Sequence, residues 1–419
     1  MTGSDPAKPS PSELQEFAQE ADAWFAENTP KDVGFMLPLT FMEVGTDEQF
    51  DFLRAWQRKV YEAGFLGAHW PKAYGGGGLH PAFQDIAHKA MLRHDAPITL
   101  NAIGLNWAGP LLLEMGSEAQ KKKYLKGILN AEDIWCQGFS EPDNGSDLGG
   151  LKLTARRDGA DYVLNGCKIW TTLGAYAKYM ILLARTDPDP AKRHAGLSFM
   201  IAPMKADGVS VRKIKKITGE HGFTQTFFDN ARAPVSGLIG AEGQGWRVAM
   251  RTLEYERGVR AGAAGGIIMK TPDMTAILDL ARRARLAGRP AIEDAVIRDR
   301  LVDILIDLEA QQLNVKRAQI PGLAQDYPGG LMLMNKLVFS ESAREISAFA
   351  MELLGQDGAW YVGEPHAPDN GHWARSYLNA FSATIGGGTS EIQHNILAEH
   401  VLGLPKDNPK LRHGKGGRP

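Results

Sequence analysis

A chain of 419 residues with a formal net charge of -2 has no basic excess with which to hold nucleic acid or an anionic membrane. Its 43% hydrophobic and 23% charged residues are an ordinary globular balance, with length for two or three domains or one large layered unit. Only two cysteines, Cys136 and Cys167, and scattered histidines without a His-Glu-x-x-His or Cys-x-x-Cys motif exclude a disulfide scaffold, fit a reducing cytoplasmic setting and give no metal site.

Residues 1–11, rich in proline and serine, read as a disordered arm without the apolar core of a secretion signal. The acidic run that follows (Glu13, Glu16, Glu20, Asp22) disfavours a mitochondrial presequence. No apolar run reaches the roughly eighteen residues that a membrane span requires. From 12 to 134 the pattern is helical. Leu14, Phe17, Ala21, Trp24 and Phe25 recur at helical spacing, and so do Phe52, Trp56 and Val60 between Phe50 and Ala63. Tyr74-Gly75-Gly76-Gly77-Gly78-Leu79-His80 reads as a tight turn, because no strand precedes it and no Gly-Lys-Ser/Thr follows to cradle phosphate. A third helical run passes from Leu111 to Leu129.

The pattern changes to strands over 135–243. Leu151–Ala155 alternates, Asp158-Gly159 signals a hairpin turn and Tyr162-Val163-Leu164 returns. Further strands are expected at Tyr179–Ala184, Leu197–Ile201 and Val209–Val211. Helical spacing resumes over 244–405, through Trp246, Met250 and Leu253 and later Leu301, Ile304 and Leu308, and Gly403 with Pro405 marks a stop. The glycine-rich basic tail, 406–419, reads as flexible. Helices, then strands, then helices, without βαβ alternation, argue against a Rossmann fold.

Four elements stand in order along this framework. They are Trp135–Asp147 with its Phe139-Ser140-Glu141-Pro142 core, Asn165–Thr172, Phe228–Pro234 leading to Gly243-Gln244-Gly245-Trp246, and Ala383–Gln393. Together they resemble the signatures of flavin-dependent acyl-CoA dehydrogenases over nearly the whole chain. The resemblance implies an α+β multidomain fold with a helical N-domain, a β-barrel-like middle domain and a four-helix-bundle C-domain. It also implies FAD as cofactor, an acyl-CoA substrate, an electron-transfer flavoprotein as acceptor, and a homo-oligomer, tetramer or dimer.

On this resemblance Gln137, Phe139 and Ser140 line the pyrimidine side of the flavin through backbone and hydroxyl groups. Ser146 meets the pyrophosphate or the thioester, Trp170 packs by the ring, and Thr172 bonds near N5. Read singly, Trp170 also suits a core strand end and Ser140 a turn. Thr389 and Glu391 match positions used at the adenosine end, as do Glu352 and Gln356 of Glu352-Leu353-Leu354-Gly355-Gln356. Glu352 stands where an amide is common and would face phosphate unfavourably. The family's Arg-x-x-Phe-Gly element is degraded to Ala284-Arg285-Leu286-Ala287-Gly288-Arg289, which also reads as a solvated helix end.

Many relatives carry the catalytic glutamate just before the last glycine of the 383–393 signature, where this chain has Gly387. Removing a weakly acidic α-proton needs a placed base and a polarised carbonyl. A minority of the family moves the glutamate to an early helix of the last domain, directly before an arginine, and Glu256-Arg257 falls there. Trp246, Ala249, Met250, Leu253 and Glu256 share a mostly apolar face, opposite Arg247, Arg251 and Glu254. The alternative is an i,i+4 pair of Glu256 with Arg260 on a solvated edge.

The resemblance implies that the backbone N–H at the lost glutamate's position helps to hold the thioester carbonyl, and Gly387 keeps that N–H. Arg257 and Gly386 fall on the substrate side, and three consecutive glycines imply a pocket for branched or cyclic acyl groups, unless they serve backbone angles alone. An acyl-CoA oxidase, a flavin monooxygenase or an inactive partner subunit of a heteromeric dehydrogenase are the competing readings.

Overall fold

The computed structural model describes residues 7–267, 269–270, 274–318, 320 and 330–406. The first six residues of the expected arm and the tail from 407 lie outside the described residues, and Ser10 and Pro11 belong to the first helix rather than to the arm. The chain forms two compact units. One holds everything to Glu256 and again Arg260–Thr271, and the other holds Arg257–Val259 and everything from Pro272.

The first unit begins with helices α1 (Pro11–Asn28), α2 (Asp47–Glu62), α3 (Pro81–Arg93), α4 (Gly109–Met115) and α5 (Glu118–Leu129). Local chemistry sets their starts. Ser10 and Glu13 form a capping box, with Pro11 preset for the first turn. Ser117 and Gln120 form another, and each such cap contributes about 1 kcal/mol. That second box divides the expected Leu111–Leu129 run into two helices at Gly116-Ser117. Ala21 and Phe25 of α1 and Leu53, Trp56 and Val60 of α2 are buried in one core. The glycine run is a turn. The N–H groups of Gly75, Gly76, Gly77 and Gly78 donate to Lys72, Pro71, Gly67 and Trp70 carbonyls, so none is left for a phosphate. A Cβ at Gly76 would stand 2.2 Å from the Trp70 carbonyl oxygen, so only glycine fits.

A seven-stranded sheet follows, built from β1 (Trp135–Gly138), β2 (Thr154–Asp158), β3 (Asp161–Thr172), β4 (Tyr179–Arg185), β5 (Leu197–Pro203), β6 (Val209–Ile214) and β7 (Phe223–Pro234). Its order is β1-β4-β2-β3-β7-β6, with β5 on β4. The β2–β3 hairpin pairs Asp158 with Asp161, so its turn is Gly159-Ala160, one residue later than the Asp158-Gly159 signal. Helix α6 (Gly245–Glu256) packs on β5 within this same unit. Residues 260–267 then return to it, with Gly67 N–H donating to Ala264 O and Thr99 N–H to Ile267 O.

The second unit comprises α7 (Met274–Arg283), a hairpin of β8 (Arg285–Leu286) and β9 (Arg289–Pro290), then α8 (Ala295–Ala318), α9 (Gly330–Leu354), α10 (His372–Ile385) and α11 (Ser390–Ile396). Four of these helices pack together, α9 against α7, α8 and α10, around Ile277, Leu280, Leu301, Ile304, Ile346, Phe349 and Trp373. Each such fully buried side chain contributes about 1.5–3 kcal/mol. Among the described residues no helix is long and apolar enough to cross a membrane, and no cluster of histidine, cysteine or acidic side chains is placed to hold a metal ion.

Candidate active site

Helix α6 buries Gly245, Val248, Ala249 and Thr252. Glu256 lies one turn beyond Thr252 and ends this stripe, half-buried. Its Oε2 accepts a hydrogen bond from Gln137 Nε2 at 3.1 Å. The alternative pair with Arg260 does not form in this way. Arg260 instead binds Glu254 at 2.6 Å, and Arg251 holds the same carboxylate at 2.6 Å. Glu114 joins both arginines and accepts from the Tyr255 hydroxyl at 2.8 Å, and burial, aided by this bond, pushes that phenol above its usual range. The network occupies Glu254 and fixes the end of α6 from the solvent side, while Glu256 faces the sheet through Gln137.

Gln137 sits on β1, and the chain after it runs beside the far end of β3. Phe139 is buried with its ring edge-on to Phe199. The Phe139 carbonyl accepts from Lys168 Nζ at 2.9 Å, and the Ser140 carbonyl accepts from the Ile169 N–H at 3.0 Å. Lys168 is 0% exposed and pairs with Glu141 at 2.9 Å, and Glu141 also accepts from the Lys152 and Leu153 N–H groups. Burial lowers the Lys168 pKa to about 8, against the opposing pull of Glu141. This strut locks the β1 end to β3.

Beyond it, Trp170 is 56% exposed and held at φ +60°. A bulky residue in the left-handed region costs about 1–3 kcal/mol and is kept where a function requires it. Only Phe223, edge-on at 5.9 Å, is stacked with it among the described residues. Thr172 is buried two residues on. Ser146 lies exposed in the turn after Glu141. An open indole wall, a hydroxyl and a locked run of main chain suit a flat, polar-edged ring such as a flavin. Replacing Trp170 by glycine is expected to leave the urea-unfolding free energy within about 1 kcal/mol of the parent, since relief of the strained φ offsets the glycine's chain entropy. The same variant is expected to weaken flavin retention, read by equilibrium dialysis.

In the second unit, Gly386 ends α10, and a Cβ there would meet nothing closer than the Ser382 carbonyl at 3.4 Å. Gly387 has φ +67° and Gly388 φ +96°, and a Cβ on Gly388 would stand 2.7 Å from Gln393 Nε2. Backbone angle and packing together therefore require glycine at 388. The loop is held by its carbonyls. Gly387 O accepts from Gln393 Nε2 at 2.9 Å and from Arg257 Nε at 3.3 Å, and Gly388 O accepts from Lys336 Nζ at 2.6 Å. Thr389 caps α11 through the Ile392 N–H. Glu391 is exposed, and its own backbone N–H, then the Thr389 hydroxyl, hold its carboxyl below the usual range.

Glu352 is ion-paired with Arg300, and Gln356 is exposed in the short turn after α9. The Arg300 cation offsets the charge that would oppose a phosphate. Arg285 and Arg289 stand on the β8–β9 hairpin rather than on a helix end, because Ala287 and Gly288 both take positive φ and reverse the chain.

Gln137, Phe139, Ser140, Ser146, Trp170, Thr172 and Glu256 thus belong to one unit, in which Gln137 and Glu256 are in contact, and Arg257, Gly386, Gly387, Thr389, Glu391, Glu352 and Gln356 belong to the other. Sequence reasoning missed Lys168, Glu141, Lys336 and Gln393. Lys168, Glu141 and Gln393 fall inside the four ordered elements, yet no spacing rule assigns them a role.

Comparison with known proteins agrees along the chain. Residues 13–132, 136–231 and 243–402 match the family models described as the N-terminal, middle and C-terminal domains of acyl-CoA dehydrogenase. Acyl-CoA dehydrogenase IpdE1 of Mycobacterium tuberculosis is 36% identical over 398 residues, covering 94% of this chain and 99% of its own. Among solved structures, the Tcur3481-Tcur3483 steroid ACAD superposes with a TM-score of 0.77 at 28% identity, over 95% of this chain and 99% of that one. The ChsE4-ChsE5 complex from Mycobacterium tuberculosis gives 0.72 at 26% identity, over 96% and 100%.

Proposed function

Since this chain belongs to the acyl-CoA dehydrogenase family, whose members oxidise acyl-CoA thioesters with FAD, we propose that its own substrate carries a bulky, ring-bearing acyl group and that Glu256 is its α-proton base. The observation that carries the base is the placement of Glu256 at the end of the buried stripe of α6, with Gln137 donating to it. Position 387 has no side chain to serve instead. Gly387 retains its N–H, so the glycine forgoes a carboxylate and not a hydrogen-bond donor.

Each group has a stated task. Ionised Glu256 removes the α-proton. The main chain at 139–140, Trp170 and Thr172 hold and orient the cofactor. FAD, when bound, accepts the β-hydrogen as hydride. Glu352, Gln356, Thr389 and Glu391 remain candidates for the adenosine end, and Ser146, Arg257 and Gly386 for the substrate. An electron-transfer flavoprotein is the proposed acceptor. Val302, Ile306 and Leu313 form an exposed apolar row on α8, which supports an oligomer, either homomeric or built of two kinds of chain in the manner of the ChsE4-ChsE5 complex.

The substrate class rests on the space beside Gly386 and on the steroid ACAD as structural neighbour. Anaerobic titration of the flavoprotein with a panel of CoA thioesters tests it. A ring-bearing thioester is expected to bleach the flavin with kcat/KM at least about tenfold above butyryl-CoA, the scale that pocket fit provides. A preference for butyryl-CoA would overturn the assignment.

A further inference from the structure

We infer that Gln137 is a positioning residue for Glu256, holding the carboxylate before proton transfer and accepting the hydrogen of the carboxylic acid after it. The inference rests on the reading of Glu256 as the base. An ionised carboxylate only accepts, so Nε2 is the end of the amide that must face it, as it does at 3.1 Å. The other end is the informative one. Gln137 Oε1 is buried and has no hydrogen-bond partner among the described residues. An orphaned buried acceptor and an immobilised glutamine side chain each cost free energy. What offsets both costs is the bond from Nε2 to Glu256, which an apolar side chain of similar volume would not make.

Proton transfer supplies the missing donor. When Glu256 takes the α-proton, a Cα–H bond of the substrate breaks and an O–H bond forms on Glu256. The electron pair of the broken bond stays on the thioester and drives the β-hydride out. Glu256 is then a carboxylic acid with one hydrogen to donate. A half-turn of the Gln137 amide about its terminal bond exchanges Nε2 for Oε1, so that the new O–H meets the carbonyl oxygen while Nε2 takes the enclosed place that Oε1 leaves. Gln137 gains and loses no proton. A charge-assisted N–H to carboxylate bond is about twice as strong as a neutral one, so the resting amide also favours the ionised form that catalysis needs. The backbone of Gln137 is fixed by its pairing with Ile181 on β4, which gives the amide a rigid mount.

The test is Gln137→Leu, with Gln137→Met as a second variant should leucine fail to fold, each purified with its flavin. The expected result is a kcat about 100-fold lower, the scale of a misplaced reacting group, with KM unchanged and flavin absorbance retained. The isotope effect with an α-deuterated thioester should rise, because proton transfer becomes more rate-limiting. A crystal structure of the variant should show the Glu256 carboxylate in a different rotamer. A parental kcat and isotope effect in the variant that folds would overturn the proposal, as would loss of flavin as the sole defect. Glu256→Gln separates the two readings. If it turns over normally, the base assignment fails. If it is inactive while Gln137→Leu is unimpaired, the role of Gln137 alone fails.

Discussion

Glu256→Gln is expected to lower kcat by about a thousandfold, the middle of the range for losing a general base, while flavin content and thermal midpoint stay at parental values. The substitution exchanges one oxygen for an amide of nearly the same shape. The amide oxygen still accepts from Gln137 Nε2, so the contact at 3.1 Å survives and the end of α6 keeps its packing. Basicity is lost together with the negative charge, because an amide oxygen is too weak a base to take a weakly acidic α-proton. The control is Glu254→Gln, two residues away. Glu254 is spent on Arg251 and Arg260 at the half-exposed side of the helix, and that change should cost stability of about 1 kcal/mol with little loss of rate. Anaerobic stopped-flow bleaching by one thioester measures both variants. Equal rates for parent and Glu256→Gln would move the base to another side chain.

The sequence was readable where one periodicity dominates. Helices α1 and α2 show because Leu14, Phe17, Ala21 and Trp24, and Phe52, Trp56 and Val60, recur at three and four. The strands β4 and β5 show as short β-rich apolar runs. Helix α3 escaped because its buried positions are Gln84, Ala87, Ala90 and Met91, which alternate poorly with their neighbours. The gap between α4 and α5 was present in the Ser117-x-x-Gln120 box, but a run from Leu111 to Leu129 hides it. At the site, the spacing puts Trp246, Ala249, Met250, Leu253 and Glu256 on one face of α6, whereas the helix buries Gly245, Val248, Ala249 and Thr252, so Ala249 alone of the expected apolar residues is buried. Gln137 and Glu256 are 119 positions apart, and Lys168 and Glu141 are 27 apart. No spacing rule joins such pairs. The packing of α6 on the sheet brings the first pair together and the path of the chain from β1 past β3 the second, and both depend on the whole fold.

That distinction decides the second large effect. Lys168→Met is expected to destabilise the protein by about 3–5 kcal/mol, because it leaves the Glu141 carboxylate buried without its cation. In a unit of this size that is a drop of about 10 °C in thermal midpoint. The two N–H bonds from Lys152 and Leu153 soften the loss and do not cancel it, since they neutralise no charge. Flavin retention should fall with it, because Lys168 Nζ also holds the Phe139 carbonyl at the β1 end.

The pH dependence distinguishes this account from simple loss of packing. Lys168 titrates at about 8 when folded against 10.5 for an ordinary lysine, so between these values the unfolded chain binds a proton that the folded chain does not. Stability rises with pH wherever the unfolded state holds more protons. This group therefore adds stability from about pH 8 upward, reaching its full contribution near 10.5, and methionine at 168 removes that rise. Urea unfolding of both proteins at pH 7.5 and pH 9.5, two values set at about the folded pKa and above it, should show the parent gaining on the variant. Parallel behaviour of the two proteins would mean that the buried lysine keeps its proton throughout, and that Glu141 dominates its environment more than burial does.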